Sequence, residues 1–337
     1  MKTVLLIGPK YMDLYKDIVA GFQQIGYTVD FALERSRMND PLNVRREKFR
    51  PYFHSEKKKK RYWDTLLAQE QYSKKYDVLF VLDGQGLNPT IFDTLKKRNP
   101  HILCVNYLFD TIKGVYRFDS YFSYFDRVFT FDREESEQYG IDWLPIYWIP
   151  DEDAIIEYDM FGFGAFSPDR FKVFSELSKY SDRNKLHSYI KLNARINREW
   201  FYQMRRLIRK PLGLRLEITL EQYHSSLITQ ELLPPDVFRK YIQQSKIVID
   251  THPSHQDGLT ARFMWSLGLR KKIVTTNKHV CDYDFYNPSQ IFIIKDVDSL
   301  DNRKLEQFMK SEVNLTQSQL SKIDECRIDN WLKILCT

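Results

Sequence analysis

The sequence predicts an α/β protein made of two Rossmann-like, doubly wound parallel-sheet domains facing a cleft. Three observations predict it. Short apolar and β-branched runs recur along the chain, separated by segments of helical period. The rhythm breaks once near the middle, at the proline-flanked acidic stretch "IPDEDAIIE" (149–157), and then resumes. The chain has 337 residues, enough for two ordinary domains with a core each.

The elements follow in order. "KTVLLIG" is a continuous apolar strand, and Leu14, Ile18, Phe22 and Ile25 mark one face of the helix after it. Gly26 closes that helix, and "YTVDFAL" is the second strand. From Glu34 to Arg61 the chain is polar and basic, with "RSR", "NVRREKFRP" and "SEKKKKR". This reads as a long loop or frayed helix, either a plain solvated face or a surface for an anionic partner. "YDVLFVLDG" is a buried strand, and "NPTIFDTLKKRNP" is a helix bracketed by Pro89 and Pro100. "HILCVNYLFD" and "FDRVFTFD" are strands, "REESEQYG" is a helix stopped by Gly140, and "WLPIYWIP" is a short extended piece. The first domain therefore holds five or six strands.

After the acidic crossing come the strand "YDMFGFGAF", a helix from about Asp169 to Tyr180, and the strand "LHSYIKL". A basic helix is expected around Glu199 to Lys210, and another helix from about Pro235 to Gln244. The strand "KIVIDTH", a helix, and the strands "KKIVTTN" and "QIFIIKD" complete the second sheet, and the tail is helical. The domains are assigned as 1–150, 151–325, and a C-terminal helix, 326–337, packing back on the first domain.

Composition excludes several classes. With 43% hydrophobic and 28% charged residues, the chain is globular rather than disordered. Val4 to Ile7 is too short for a signal peptide or spanning helix, and no later run is long enough to span a bilayer. Cys104, Cys281, Cys326 and Cys336 form no CxxC pair, which suits free thiols in a reducing cytosol. The net charge of +6 suits an anionic substrate or the inner face of an anionic membrane. A nucleic-acid partner is not expected, because "KKKKR" lacks interleaved aromatics and a known module.

In such folds ligands bind beyond the carboxyl ends of the strands. In the second domain one strand leads into "FGFGAFSPDR". Gly162 and Gly164 would let a ligand approach the backbone, and Ser167 and Arg170 open a helix whose N-terminus suits phosphate. A plain tight turn is the competing reading. The next strand end is "VIDTHPSHQDGLTAR". Gly258 is free to adopt positive φ, Thr260 can cap the helix, and Arg262 in its first turn can grip a diphosphate. Leu259, Phe263 and Leu267 face the core, and Gly268 ends the helix. Thr275, Thr276 and Asn277 end the following strand. The segments 162–170, 251–262 and 275–277 thus converge on a phosphate-bearing ligand.

"QDGLTARFMWSLGLRKKIVTTN" and the trailing "YDFYNP" resemble the GT-B glycosyltransferases that build bacterial capsule, exopolysaccharide and lipopolysaccharide. That set includes the spore-maturation CgeB-like group and resembles the group 1 glycosyl transferases. "YLFDTI" and "FDRVFTFDREESEQYGIDWLPIYW" resemble the first domain of the same family. The likeness covers about 77–150 and 158–287. It implies transfer of a sugar from a nucleotide-sugar donor, held by the second domain, to a glycan or lipid-linked acceptor on the first. The donor is a substrate, and no cofactor is implied. Gln256, Gly258, Thr260 and Arg262 match the family's donor-phosphate loop and helix, and Thr275 and Thr276 match the following strand end. One departure is Trp265, which stands where the family often has a Glu that holds the ribose.

Transfer requires a base for the acceptor hydroxyl and charge stabilisation for the departing diphosphate. Asp110 and Asp83, both ending apolar strands of the first domain, are the leading base candidates, with Asp13 third; each also reads as a plain cap or turn residue. Lys191 and His252, at strand ends, join Arg170 and Arg262 as donor-side candidates. No metal is expected: the "DYD" at Asp282 to Asp284 is a spelling that recurs at 151–153 and 296–298, and His252 and His255 lack a zinc context. Two further classes share the ligand but not the reaction: a nucleotide-sugar epimerase, and a non-catalytic sugar-binding protein.

Overall fold

A computed structural model of the chain describes residues 2–10, 13–34, 56–112, 118–151, 154–194, 218–252 and 257–337. By contacts the chain divides into two units. The first is Met1–Ile149, His255–Leu259 and Asp324–Thr337; the second is Pro150–Ser254 and Thr260–Ile323.

The first unit begins with β1 (Thr3–Gly8), α1 (Leu14–Gln24) and β2 (Thr28–Leu33). It continues through α2 (Glu56–Leu67), β3 (Val78–Leu82), α3 (Thr90–Arg98) and β4 (Leu103–Leu108). β5 (Arg127–Thr130), α4 (Arg133–Tyr139) and β6 (Asp142–Trp143) follow. Among the described residues these form one parallel sheet of order β2-β1-β3-β4-β5-β6. Val4 to Ile7 and Val78 to Leu82 are buried on both faces, which is why these strands read as unbroken apolar runs rather than alternating ones. The lysine run is helical from Glu56 onward. Buried Trp63 anchors α2 by donating its indole N–H to the Gly86 carbonyl at 2.9 Å.

The second unit carries β7 (Tyr158–Ala165), α5 (Pro168–Arg183), β8 (Ser188–Asn193) and β9 (Ile228–Thr229). It continues with α6 (Pro235–Gln243), β10 (Ser245–Asp250), α7 (Ala261–Gly268), β11 (Lys272–Thr275) and β12 (Ile291–Ile293). Among the described residues its sheet is again parallel, of order β12-β11-β10-β7-β8-β9. The basic helix expected around 199–210 lies outside the described residues. Three helices complete the chain: α8 (Asn302–Lys310), α9 (Gln317–Glu325) and α10 (Ile328–Cys336). Lys272 is buried, and its ammonium closes the carboxyl end of α8 by donating to the carbonyls of Phe308, Met309 and Ser311. α10 belongs to the first unit. There Trp331 is buried and donates to the Pro145 carbonyl at 3.0 Å, and Arg127 donates to the Ile334 carbonyl at 2.7 Å.

Two sequence expectations about glycines need correction. Gly162 and Gly164 stand inside β7, not in a turn after it. A Cβ on Gly162 would lie 3.2 Å from the Phe174 ring, and one on Gly164 would lie 3.2 Å from Arg170 Nη1. Their smallness therefore makes room for α5 side chains. Among the described residues the glycines with positive φ are Gly26, Gly84 and Gly140, and Gly258 is not among them. Gly258 is required for a different reason: a Cβ there would sit 2.5 Å from Phe131 Cδ2 and 2.9 Å from the Phe131 carbonyl oxygen. Gly268 is the last residue of α7, and the left-handed residue beyond it is Arg270, with φ 56°. Among the described residues no helix is long and apolar enough to cross a membrane.

Candidate functional site

The second unit gathers its polar side chains at the carboxyl ends of β7, β10 and β11. Asp250 ends β10 and is 1% exposed. Its Oδ1 accepts from the Thr260 hydroxyl at 2.7 Å, and its Oδ2 accepts from the Thr275 hydroxyl at 3.2 Å. Thr260 is the N-cap of α7, as its position before the apolar run predicts, and its Oγ1 accepts from the Phe263 N–H at 3.1 Å. One buried carboxylate thus ties the start of α7 to the end of β11.

Two guanidinium groups flank this carboxylate. Arg170 lies in the first turn of α5, where Ser167 is the N-cap and accepts from the Arg170 N–H at 3.2 Å. Its Nε donates to Thr251 Oγ1 at 2.6 Å, and its Nη1 donates to the Ala165 carbonyl. Arg262, in the first turn of α7, donates from Nη1 to the Ile249 carbonyl at 3.1 Å, and its guanidinium lies 5.8 Å from the Phe238 ring centre. Burial pushes the Arg170 guanidinium down to about 10, nearby Arg262 adds to the push, and Asp250 opposes it. Burial likewise lowers Arg262, again against Asp250. Two cations therefore share one carboxylate in a half-buried place, at the starts of two helices. An anion entering there would relieve the charge imbalance.

His252 and Thr276 border the cluster: the His252 N–H donates to Thr276 Oγ1 at 3.3 Å, and its Nδ1 lies 3.5 Å from the same oxygen. Other candidates are placed elsewhere. Lys191 directs its ammonium to the Ser226 carbonyl at 2.6 Å. Leu259 is buried. Gln256 lies outside the described residues. Gly258 groups with the first unit, where its N–H and that of Asp257 both donate to Asp132 Oδ2 at 3.0 Å. Trp265 is 3% exposed, with the Arg239 guanidinium 5.2 Å from its ring centre and Phe238 edge-on at 6.3 Å.

In the first unit, Asp83 and Asp110 come together after β3 and β4. Asp83 adopts a left-handed backbone, φ 61°, and its Oδ1 accepts from the Phe109 N–H at 2.7 Å. Burial pushes its carboxyl up to about 8; Asp110 and Glu34 push the same way, against the N–H groups of Phe109 and Asp110. Glu34 is buried and accepts from the Gly86 N–H. Asp110 is exposed. Asp13 precedes α1 with φ 56° and pairs with Lys16 at 2.8 Å. Among the described residues no cluster of three or more His, Cys, Asp or Glu side chains is arranged to hold a metal.

Sequence reasoning missed Asp250, Thr251, Asp132 and Glu34. For Asp250 a signal existed: a lone carboxylate ending the apolar run "KIVID" must find partners once buried. Asp132 offered an N-cap signal before "REESEQ", but its second task, holding the amides of 257 and 258, joins positions 125 or more residues apart.

No family model and no curated protein sequence matches the chain. Among solved structures, it superimposes on an α,α-trehalose-phosphate synthase (UDP-forming) from Burkholderia vietnamiensis with a TM-score of 0.53. That match covers 99% of this chain and 96% of the other, at 10% identity. The chain has the GT-B fold. Weaker matches include a UDP-GlcNAc 2-epimerase from Neisseria meningitidis bound to UDP-GlcNAc, with TM-score 0.49, 9% identity, and 99% and 100% coverage of the two chains. Arabidopsis thaliana UGT89C1 matches with TM-score 0.48 and 9% identity over 100% of both chains. At such identities the likeness is one of fold.

Proposed function

We propose that this GT-B protein is a glycosyltransferase that moves a sugar from a nucleotide-sugar donor to a hydroxyl of a growing surface polysaccharide or glycolipid. The observation that carries the reading is the Arg170–Arg262 pair at two helix starts, sharing the single buried carboxylate Asp250. In this reading Arg170, Arg262 and the N-terminus of α7 hold the donor diphosphate, with His252, Thr260 and Thr276 at its border. The acceptor oxygen bonds to the anomeric carbon as the bond from that carbon to the phosphate oxygen breaks. The acceptor proton passes to a carboxylate, and the diphosphate leaves with the electron pair. The guanidinium groups stabilise the charge that develops on it.

Asp110 is assigned the base role, with Asp83 as its positioning neighbour. Asp83 keeps its proton at neutral pH, so it adds no second negative charge beside Asp110. The step needs no metal and no cofactor in this scheme. Bacterial capsule or lipopolysaccharide synthesis at the cytoplasmic face is the setting we assign. Exposed Lys57, Lys58 and Arg61 on α2 support a peripheral contact with anionic lipid there.

The test is turnover with UDP-, GDP-, dTDP- and CMP-sugars, followed by product analysis. Arg262→Ala should abolish donor-dependent turnover while the far-ultraviolet circular dichroism stays native. Unchanged turnover in that variant would refute the phosphate site. A free epimerised nucleotide sugar as the product would replace transfer by epimerisation.

A further inference from the structure

The helix start that carries Arg262 is reached through a short stretch with its own anchor. His255–Leu259 belong by contacts to the first unit, although β10 before them and α7 after them belong to the second. The anchor is the step from Phe131 to Asp132, where β5 passes into α4. Asp132 is buried, and its two carboxylate oxygens have separate partners. Oδ1 accepts from the Glu135 N–H at 3.1 Å and caps α4. Oδ2 accepts from the N–H groups of Asp257 and Gly258, each at 3.0 Å. Capping α4 needs one oxygen, which a serine supplies as well. The loop explains the second oxygen, and a carboxylate holds amides more strongly than a neutral acceptor does. Glycine at 258 completes the fit, because a Cβ there would lie 2.5 Å from the Phe131 ring. Only buried Leu259 separates this seat from Thr260, the N-cap of α7, whose hydroxyl donates to Asp250 at 2.7 Å.

We infer that Asp132 is a positioning residue for the proposed diphosphate site: by holding residues 257 and 258 it fixes where the start of α7, with Thr260 and Arg262, stands. Asp132 acts through these residues and touches no ligand. The inference rests on the nucleotide-sugar reading and extends it to a residue outside the second sheet. A helix start released from one of its two anchors samples other positions, and binding then depends on the fraction correctly placed. Loss of both amide bonds to Oδ2 should leave about a tenth of the molecules with the loop seated, so the apparent affinity for a nucleoside diphosphate falls by the same factor, about tenfold.

The experiment compares wild type with Asp132→Ser and Glu135→Gln. Serine keeps an oxygen for the Glu135 N–H and leaves 257 and 258 without their acceptor. Glu135 is the control. It is buried in the same helix start and accepts from the Ile112 N–H at 3.0 Å, so its variant disturbs α4 and spares the acceptor of 257 and 258. Calorimetry with UDP, GDP and dTDP finds the tightest ligand of wild type, which is then titrated into both variants, each checked for native circular dichroism. Asp132→Ser should bind it about tenfold more weakly, and Glu135→Gln should bind it as wild type does. Amide hydrogen exchange is the second readout: 257 and 258 should exchange faster in Asp132→Ser than in wild type. Undiminished affinity in Asp132→Ser overturns the inference. So does equal weakening in both variants, which is what damage to α4 alone would give, and so does unchanged exchange at 257 and 258. If Asp132→Ser does not fold, Gly258→Ala disturbs the same seat from the loop side, and the same two changes are expected of it, with their absence again overturning the inference. If wild type binds none of the three nucleotides, the nucleotide-sugar reading itself falls, and this inference with it. Binding to wild type that Asp132→Ser leaves unaltered removes the inference alone.

Discussion

Replacing Asp250 by asparagine keeps the shape of the side chain and deletes its charge. The wild-type carboxylate is 1% exposed, accepts two hydroxyl hydrogens, and is the anion that opposes the lowering of both Arg170 and Arg262. Removing one partner from a buried ionic group costs about 3–5 kcal/mol, because the remaining charge is left uncompensated. Neither arginine hydrogen-bonds Asp250 directly among the contacts described, so the low end, about 3 kcal/mol, applies. For a domain of this size each kcal/mol moves the melting temperature by about 2–4 °C. Asp250→Asn should therefore melt about 6–12 °C below wild type. The two cations are then short of an anion, so pyrophosphate should raise the variant's melting temperature more than it raises the wild type's. Differential scanning calorimetry across a pyrophosphate titration checks both parts. An unchanged melting temperature, or equal increments in the two proteins, would refute the claim that Asp250 balances this pair.

Other perturbations test separate parts of the structure. Gly258→Ala places a methyl 2.5 Å from the Phe131 ring and 2.9 Å from its carbonyl oxygen, so backbone must move. A loss of about 1–3 kcal/mol in chemical denaturation is expected, and wild-type stability would contradict the close approach. Asp83 holds its proton up to about pH 8 in the folded state, against an ordinary value of about 3.9 in the unfolded chain. The folded state therefore binds more protons between those values, and stability falls as pH rises through the interval, by up to about 1.4 kcal/mol per pH unit. Asp83→Asn should flatten that stretch of the pH–stability curve; superimposable curves for the two proteins would remove the buried proton.

Much of the fold was legible because parallel strands are buried on both faces. "KTVLLIG", "DVLFVL" and "KIVID" leave no other place for so many apolar residues, and Gly140 with φ 63° ends its helix where the residue type predicts. Glycine was the weaker guide wherever packing, not dihedral angle, required it. Gly162, Gly164 and Gly258 look like flexible turn residues in sequence. Each instead makes room for a side chain remote in sequence or just beyond its own strand: Phe174, Arg170 and Phe131. The candidate site was half legible. Thr260 and Arg262 follow from helix-start rules. Asp250 joins them only because parallel pairing sets β10 beside β11, which brings Thr275 within reach of a carboxylate 25 positions earlier. Lys191 shows the converse: a strand-end lysine has the right chemistry, but a nearby carbonyl takes its ammonium.

The central claim is that Arg170 and Arg262 hold the diphosphate of a nucleotide sugar. Isothermal titration calorimetry with UDP, GDP, dTDP and CMP tests it most directly, on wild type and on the Arg170→Ala, Arg262→Ala double variant. The account predicts that wild type binds at least one nucleoside diphosphate, more tightly than CMP, and that the double variant loses that binding while remaining folded. Absence of binding in wild type, or undiminished binding in the double variant, would contradict it.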